Sequence, residues 1–308
     1  MRRTIWITPK STLPRKAIED DILVTDASPL QNSASYKLVI LQTENSPCGA
    51  KAALFASLLA VAFGYGAHAQ TQPSAAELPD APQPQHEADA VTLESTPRHI
   101  LKDQEGIWAS PLRVRLHDLV WLAPLTLATG AAIGTDHLAM TSVVSRDAEF
   151  NKANVDASNV LTAGLIAAPV ALFARGHFGG DAHATETGIL GGEAIVDGVV
   201  VEQGMKLIFW RERPHADDSR GRFFQSSAGI DSSFPSSHTV LTWASAAVIA
   251  QEYPSRWTQL LVYSAATGVS LTRVLGQEHF PSDVLIGSAA GWLVGHYVYR
   301  RHHRVWMH

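Results

Sequence analysis

Three short stretches of this chain hold residue types able to grip an anion and to act as nucleophile or base. In HFPSD, residues 279–283, a histidine and a carboxylate stand four apart where an apolar helix begins. An aspartate that holds one nitrogen of an imidazole leaves the other free as nucleophile or base. The same pattern suits an ordinary helix start, since Pro281 has the φ of a first helical residue and Ser282 and Asp283 suit a positively polarised first turn. In KLIFWRERP, residues 206–214, Lys206 and Arg213 stand seven apart. If one helix continues through both, they share a face within about 20° and lie roughly 10 Å apart along the axis, so two long cations reach one anion. The alternative is simple complementation of a helix dipole, with Pro214 making Arg213 a helix end. In Pro235-Ser236-Ser237-His238 the serines open an apolar helix whose free N–H groups form an anion cradle with His238 at its rim, unless the serines merely cap. Arg273, six residues before His279, adds a planar fork suited to phosphate oxygens. A metal reading of the His279–Asp283 pair lacks a third ligand, because neither an HExxH nor a cysteine pair accompanies it, so no metal or cofactor is expected in this site.

The elements that must position these residues are helices. From about residue 110 the sequence consists of apolar blocks near 118–134, 157–174, 186–210, 238–251, 257–275 and 282–299, rich in Ala, Leu and Gly and without sustained alternation. Six helices in one all-α bundle is the economical architecture. Apolar residues make up 46% of 308, enough for a large core, and the net charge of −5 without an arginine-rich run argues against a nucleic-acid partner. The single cysteine, Cys48, excludes a disulfide framework and a thiolate metal site.

Residues 51–70, KAALFASLLAVAFGYGAHAQ, have the lysine, short apolar run and Ala67-His68-Ala69 of an export signal. The run is shorter than the roughly 20 residues that span a bilayer. The Pro-, Ala- and Gln-rich text that follows reads as a disordered linker. The expected plan is therefore an N-terminal extension with signal over 1–69, a linker over 70–110 and a catalytic domain over 111–308. Whether the bundle crosses a membrane is left open by the sequence. The third block carries Glu193, Asp197 and Glu202, whereas the small residues of GSAAGWLVG (287–295) suit closely packed membrane helices. The tail YRRHHR favours a cytoplasmic end and an outward-facing HFPSD, but six spans ending inside are incompatible with a cleaved signal.

Taken in order, K-x6-R-P, P-S-x-H and R-x5-H-x3-D resemble the signature of the type 2 phosphatidic acid phosphatase superfamily, which includes lipid phosphatases, bacterial acid phosphatases and vanadium haloperoxidases. The matching positions are Lys206, Arg213, Pro214, Pro235, Ser236, His238, Arg273, His279 and Asp283. Ser237 stands where glycine is usual and Thr272 where serine is common. The resemblance implies a six-helix bundle, His279 as the nucleophile that forms a phosphohistidine, and Asp283 as its orienting carboxylate. His238 becomes the acid and then the base, and Lys206, Arg213, Ser236, Ser237 and Arg273 bind the phosphate oxygens. The expected activity is metal-independent hydrolysis of phosphate monoesters or lipid (pyro)phosphates in the cell envelope, at the outer face of the membrane or in the periplasm. The alternatives are a vanadate-dependent peroxidase and a non-catalytic binder of lipid headgroups. His215, His296, His302, His303 and His308 are expected to be solvated or structural, the last three in a polar tail.

Overall fold

A computed structural model of the chain describes residues 91–225 and 231–303. The expected signal segment and most of the expected linker lie outside these residues. The described part is helical: α1 (Thr96–Ala109), α2 (Leu119–Ser142), α3 (Ala148–Gly179), α4 (Ala182–Phe209), α5 (Ser237–Glu252), α6 (Arg256–Leu275) and α7 (Pro281–His302). Two short 3₁₀ turns, Ser110–Arg113 and Leu116–Asp118, join α1 to α2. The all-α expectation holds, and the six apolar blocks correspond to α2 through α7. The additional helix, α1, occupies the last part of the stretch expected as linker. Its isolated sequence is polar, and it is ordered by contacts with α4, including Gln104 donating to Asp197 at 2.8 Å.

Local sequence explains where the helices start and stop. Asp147 caps α3 by accepting from the Phe150 N–H at 2.8 Å, and the helix ends at Gly180 in the left-handed region, φ 73°. Asp181 then caps α4, and Ser255 caps α6 by accepting from the Thr258 N–H. Pro281 begins α7 at its first turn.

Helix α5 is the axis of the bundle, packed against α3, α4, α6 and α7 and apolar all round, with Val240, Ala244, Ala247 and Val248 fully buried. Its closest neighbour is α7, and the reason is a row of glycines. A Cβ on Gly291 would lie 2.2 Å from the Val240 carbonyl oxygen, and one on Gly295 would lie 2.4 Å from that of Ala244. These two positions of the GSAAGWLVG stretch let the α7 backbone touch α5. The contact sets the N-terminus of α7, with His279 and Asp283, beside the N-terminus of α5, with His238.

Helices α2 and α3 face outward. Both are long and apolar enough to cross a membrane, and Leu127, Leu138, Val160, Val170 and Phe178 are exposed on them. Among the described residues these two alone meet that criterion. The six spans considered from the sequence are not supported, because α4 carries buried acids and α5 to α7 are shorter or more polar.

Candidate active site

The site forms where α4 ends, α5 begins, α6 ends and α7 begins. The continuous helix considered from Lys206 to Arg213 does not occur. Helix α4 stops at Phe209, Trp210 adopts a left-handed conformation with φ 39°, and the chain folds back so that Phe224 N–H donates to the Phe209 carbonyl at 2.9 Å. Arg213 therefore enters the site from a loop.

This reversal turns Arg211 inward, a residue the sequence reading did not single out. Its guanidinium is 1% exposed and lies between the rings of Phe223 and Phe280. It donates to Asp283 Oδ1 at 2.5 Å, Ser282 Oγ at 2.6 Å, Asp136 Oδ2 at 2.7 Å and the Gly221 carbonyl at 3.0 Å. Gly221 has φ 59°, and a Cβ there would overlap Phe280 at 2.6 Å, so only glycine brings its carbonyl to Arg211. Asp136 comes from α2 and also accepts from the Ser282 N–H at 3.1 Å. One buried cation thus ties α2 and the 210–225 loop to the first turn of α7.

Asp283 is the other half of that tie. It accepts from Arg211, from Ser233 Oγ at 2.5 Å and from the Phe280 N–H at 2.8 Å. Burial pushes its carboxyl up, but Arg211, His279 and the Ser233 hydroxyl outweigh burial and hold it below the usual carboxylate range. The nearest acceptor for the His279 ring is the Ser233 carbonyl, 2.8 Å from Nδ1, while the Asp283 carboxylate lies 3.7 Å from that nitrogen, beyond hydrogen-bond range. Asp283 thus positions His279 through Ser233, whose hydroxyl it holds and whose carbonyl orients the ring. Burial lowers the pKa of His279, partly offset by Asp283. With Nδ1–H donated to Ser233, the lone pair is on Nε2.

Three cations, Lys206, Arg213 and Arg273, lie near the paired histidines, the two arginines acting on both rings. Lys206 Nζ, 5% exposed, donates to Ser237 Oγ at 2.8 Å and lies 3.5 Å from Glu202, which also accepts from Ser237. Arg213 donates to Asp231 Oδ1 at 2.7 Å and to Glu278 Oε2 at 3.1 Å. Arg273 donates to the same Glu278 oxygen at 3.2 Å, and its Nε is buried without a partner. Two arginines from different elements thus converge on one carboxylate oxygen, in the manner two guanidiniums hold a phosphate oxygen. Glu278 itself is an exposed-edge acid of the loop between α6 and α7, with a side chain 32% exposed.

Helix α5 presents its first turn to the same place. Ser236, its N-cap residue, makes no capping hydrogen bond; its hydroxyl is fully buried and accepts from Thr239 Oγ1 at 2.9 Å. Plain side-chain capping, the bland reading of PSSH, is therefore not what Ser236 does. His238 is half-buried, and burial followed by the charges of Arg273, His279, Lys206 and Arg213 lowers its pKa to about 4. That list of perturbing charges places both histidines and all three cations in one constellation. From His238 an apolar groove of about 730 Å³ runs along α3, lined by Asn159, Thr162, Ile166, Val170 and Ala174 among others.

The remaining histidines divide. His296 stacks on Trp292 and pairs with Gln251 at 2.7 Å. His302 and His303 are not a solvated tail: His302 pairs with Asp103 at 2.8 Å and His303 with Glu252 at 2.9 Å, because α7 continues to His302 and lays them against buried acids of α1 and α5. His308 lies outside the described residues. Arg211, Ser233, Glu278 and Glu202 were missed because each is ordinary in its local sequence. The only hint was an acid, Glu278, directly beside the histidine of an otherwise cationic set.

These features define an all-helical domain that brings three cations and two imidazoles together at the ends of its helices. Residues 188–307 match the model of the PAP2 superfamily, and this stretch is a PAP2 superfamily domain. A lipid A 1-phosphatase of Porphyromonas gingivalis is 40% identical over 65 residues, 20% of this chain and 15% of that protein. The matched stretch is thus a small part of that relative's length. No solved structure matches at a significant level.

Proposed function

We propose that the chain is a metal-independent phosphatase acting on a phosphorylated lipid at the cell envelope, with its site facing outward. The observation that carries the lipid reading is the apolar groove along α3 that ends at His238. It gives an acyl chain a path along the outward apolar face of α3, and the lipid A 1-phosphatase likeness points the same way.

In this reading the phosphate enters between Lys206, Arg213 and Arg273 and meets the free N–H groups of the first turn of α5. Binding displaces Glu278 from the two arginines. Nε2 of His279 attacks phosphorus as the P–O bond to the leaving alkoxide breaks, and His238 donates its proton to that oxygen. His238, now neutral, takes a proton from water; the water oxygen attacks the phosphohistidine, and inorganic phosphate leaves as Nε2 recovers its lone pair. The cations hold the equatorial oxygens, where charge accumulates, and this is the larger part of phosphoryl-transfer catalysis. His238 must carry a proton for the first step although its free pKa is about 4. A bound phosphate supplies the negative charge that raises it.

The test is phosphate release from a lipid phosphate in mixed micelles against release from a soluble aryl phosphate, with and without EDTA. The reading expects turnover that survives EDTA and a clear preference for the lipid, with His279→Ala abolishing turnover while retaining phosphate binding. Halide oxidation with added vanadate in place of phosphate release would instead assign the peroxidase. Phosphate binding without turnover by the wild type would leave only a headgroup binder.

A further inference from the structure

In the middle of α4, about 20 Å from Lys206 by helix rise, lies a second cluster that the phosphatase reading does not use. It joins α1, α4 and α7. His99, Glu193 and His302 each offer a ligand atom, and these atoms lie within 4.8 Å of one another. His99 Nδ1 is 3.2 Å from Glu193 Oε1, and the rings of His99 and His302 stack 4.2 Å apart at 14°, so their nitrogens are presented side by side. Asp103 lies at the edge of the group, 2.8 Å from His302 Nε2.

The charge balance of the cluster is the second, independent observation. Asp103, Glu193 and Asp197 are each no more than 1% exposed. Among the described residues the only full cation against them is Arg301, half in solvent and 3.2 Å from Asp103. Glu193 Oε2 and Asp197 Oδ2 are buried without a hydrogen-bond partner. Buried, unpartnered carboxylate oxygens are costly unless a proton or a cation meets them. The neighbouring group around Glu252 has no such deficit: His183 and His303 each pair with one of its oxygens at 2.9 Å.

We infer that His99, Glu193 and His302 bind a divalent transition metal of the zinc class, which pins α1 to α4 and α7. Two imidazoles and one carboxylate are a ligand set that suits zinc, with Asp103 at hand as a further oxygen or as the carboxylate that orients an imidazole. The metal is structural: it lies away from His238 and His279, and its three ligands come from three different helices. It also accounts for why α1, polar in sequence, is held on the bundle.

The experiment uses the full chain, purified in detergent without a polyhistidine tag. Zinc is titrated against a chromogenic chelator, and the thermal midpoint is read with and without zinc. The expectation is about one zinc per chain and a midpoint raised by roughly 5–10 °C when zinc is a hundred-fold above its dissociation constant. Glu193→Gln and His99→Ala should each weaken zinc at least ten-fold, whereas His279→Ala should not change it. Glu193→Gln keeps the side-chain shape, and its helicity by circular dichroism separates loss of binding from loss of fold; should it unfold, His302→Gln serves in its place. Phosphatase rate at 25 °C should be the same with and without zinc, so this inference and the phosphatase reading fail separately. A wild-type chain whose midpoint ignores zinc, or zinc binding that survives Glu193→Gln and His99→Ala together, overturns it.

Discussion

Glu278 accepts from Arg213 and Arg273, the place where the proposed function puts the substrate's charge, and replacing it with glutamine gives a directional prediction. Its Oε2 lies 3.1 Å from an Arg213 nitrogen and 3.2 Å from an Arg273 nitrogen. Two unit charges 4 Å apart at an effective dielectric of 20 attract by about 4 kcal/mol, but a third of this side chain is in water, and exposed pairs measure at about 0–1 kcal/mol each. Taking about 1–2 kcal/mol for both contacts together, an incoming phosphate must overcome that much to displace the carboxylate. Glu278→Gln keeps the shape and removes the competing charge, so inorganic phosphate should inhibit the variant roughly 5- to 30-fold more tightly. The assay is competitive inhibition of a soluble aryl phosphate at fixed ionic strength, and the gain should shrink as salt screens the partly exposed pair. An inhibition constant within two-fold of wild type, or a weaker one, would refute the idea that Glu278 and phosphate compete for the two arginines.

Other expectations follow from the same geometry. Sulfate carries no proton of its own at pH 5, so its binding should draw a proton onto His238, whose free pKa is about 4 and rises when anionic charge arrives; calorimetry in buffers of different ionisation enthalpy should show uptake, lost in His238→Asn. Asp283→Asn removes one of the two buried carboxylates that pair with Arg211, leaving Asp136 as the other, and should cost about 3 kcal/mol at pH 7 by chemical denaturation. Because the folded pKa of Asp283 is depressed, wild type holds that stability above about pH 4 and loses it as pH falls through the lowered value, so the gap to Asp283→Asn should narrow in acid. Gly291→Ala places a Cβ 2.2 Å from the Val240 carbonyl oxygen and should destabilise by about 1–3 kcal/mol, read as a lower thermal midpoint together with lower turnover as α5 and α7 separate.

Much of the domain was legible before any coordinates. Apolar blocks with helical length placed six of the seven helices among the described residues, because a bundle of this kind advertises its helices through composition alone. The glycine spacing of GSAAGWLVG announced a close helix contact, and α7 makes one. What composition could not show is a polar helix held by polar contacts: α1 looked like linker because its partners, Glu193 and Asp197, sit nearly a hundred residues away. The end of α4 was also hidden, since nothing in KLIFWRERP announces that Trp210 will take a left-handed conformation.

The sequence by itself determined which side chains could handle phosphate: two imidazoles, three cations and a serine pair, at spacings that put each beside a helix end. That much is local chemistry, carried by residue type and by distance along the chain. Tertiary structure alone decided how they are held. The ring of His279 is oriented by a backbone carbonyl, Arg211 outranks its neighbours by being the one turned into the core, and Glu278 draws Arg213 and Arg273 together. Carbonyl directions, burial and the meeting of charges from distant segments are set by chain reversal and helix packing, and no short stretch of residues encodes them.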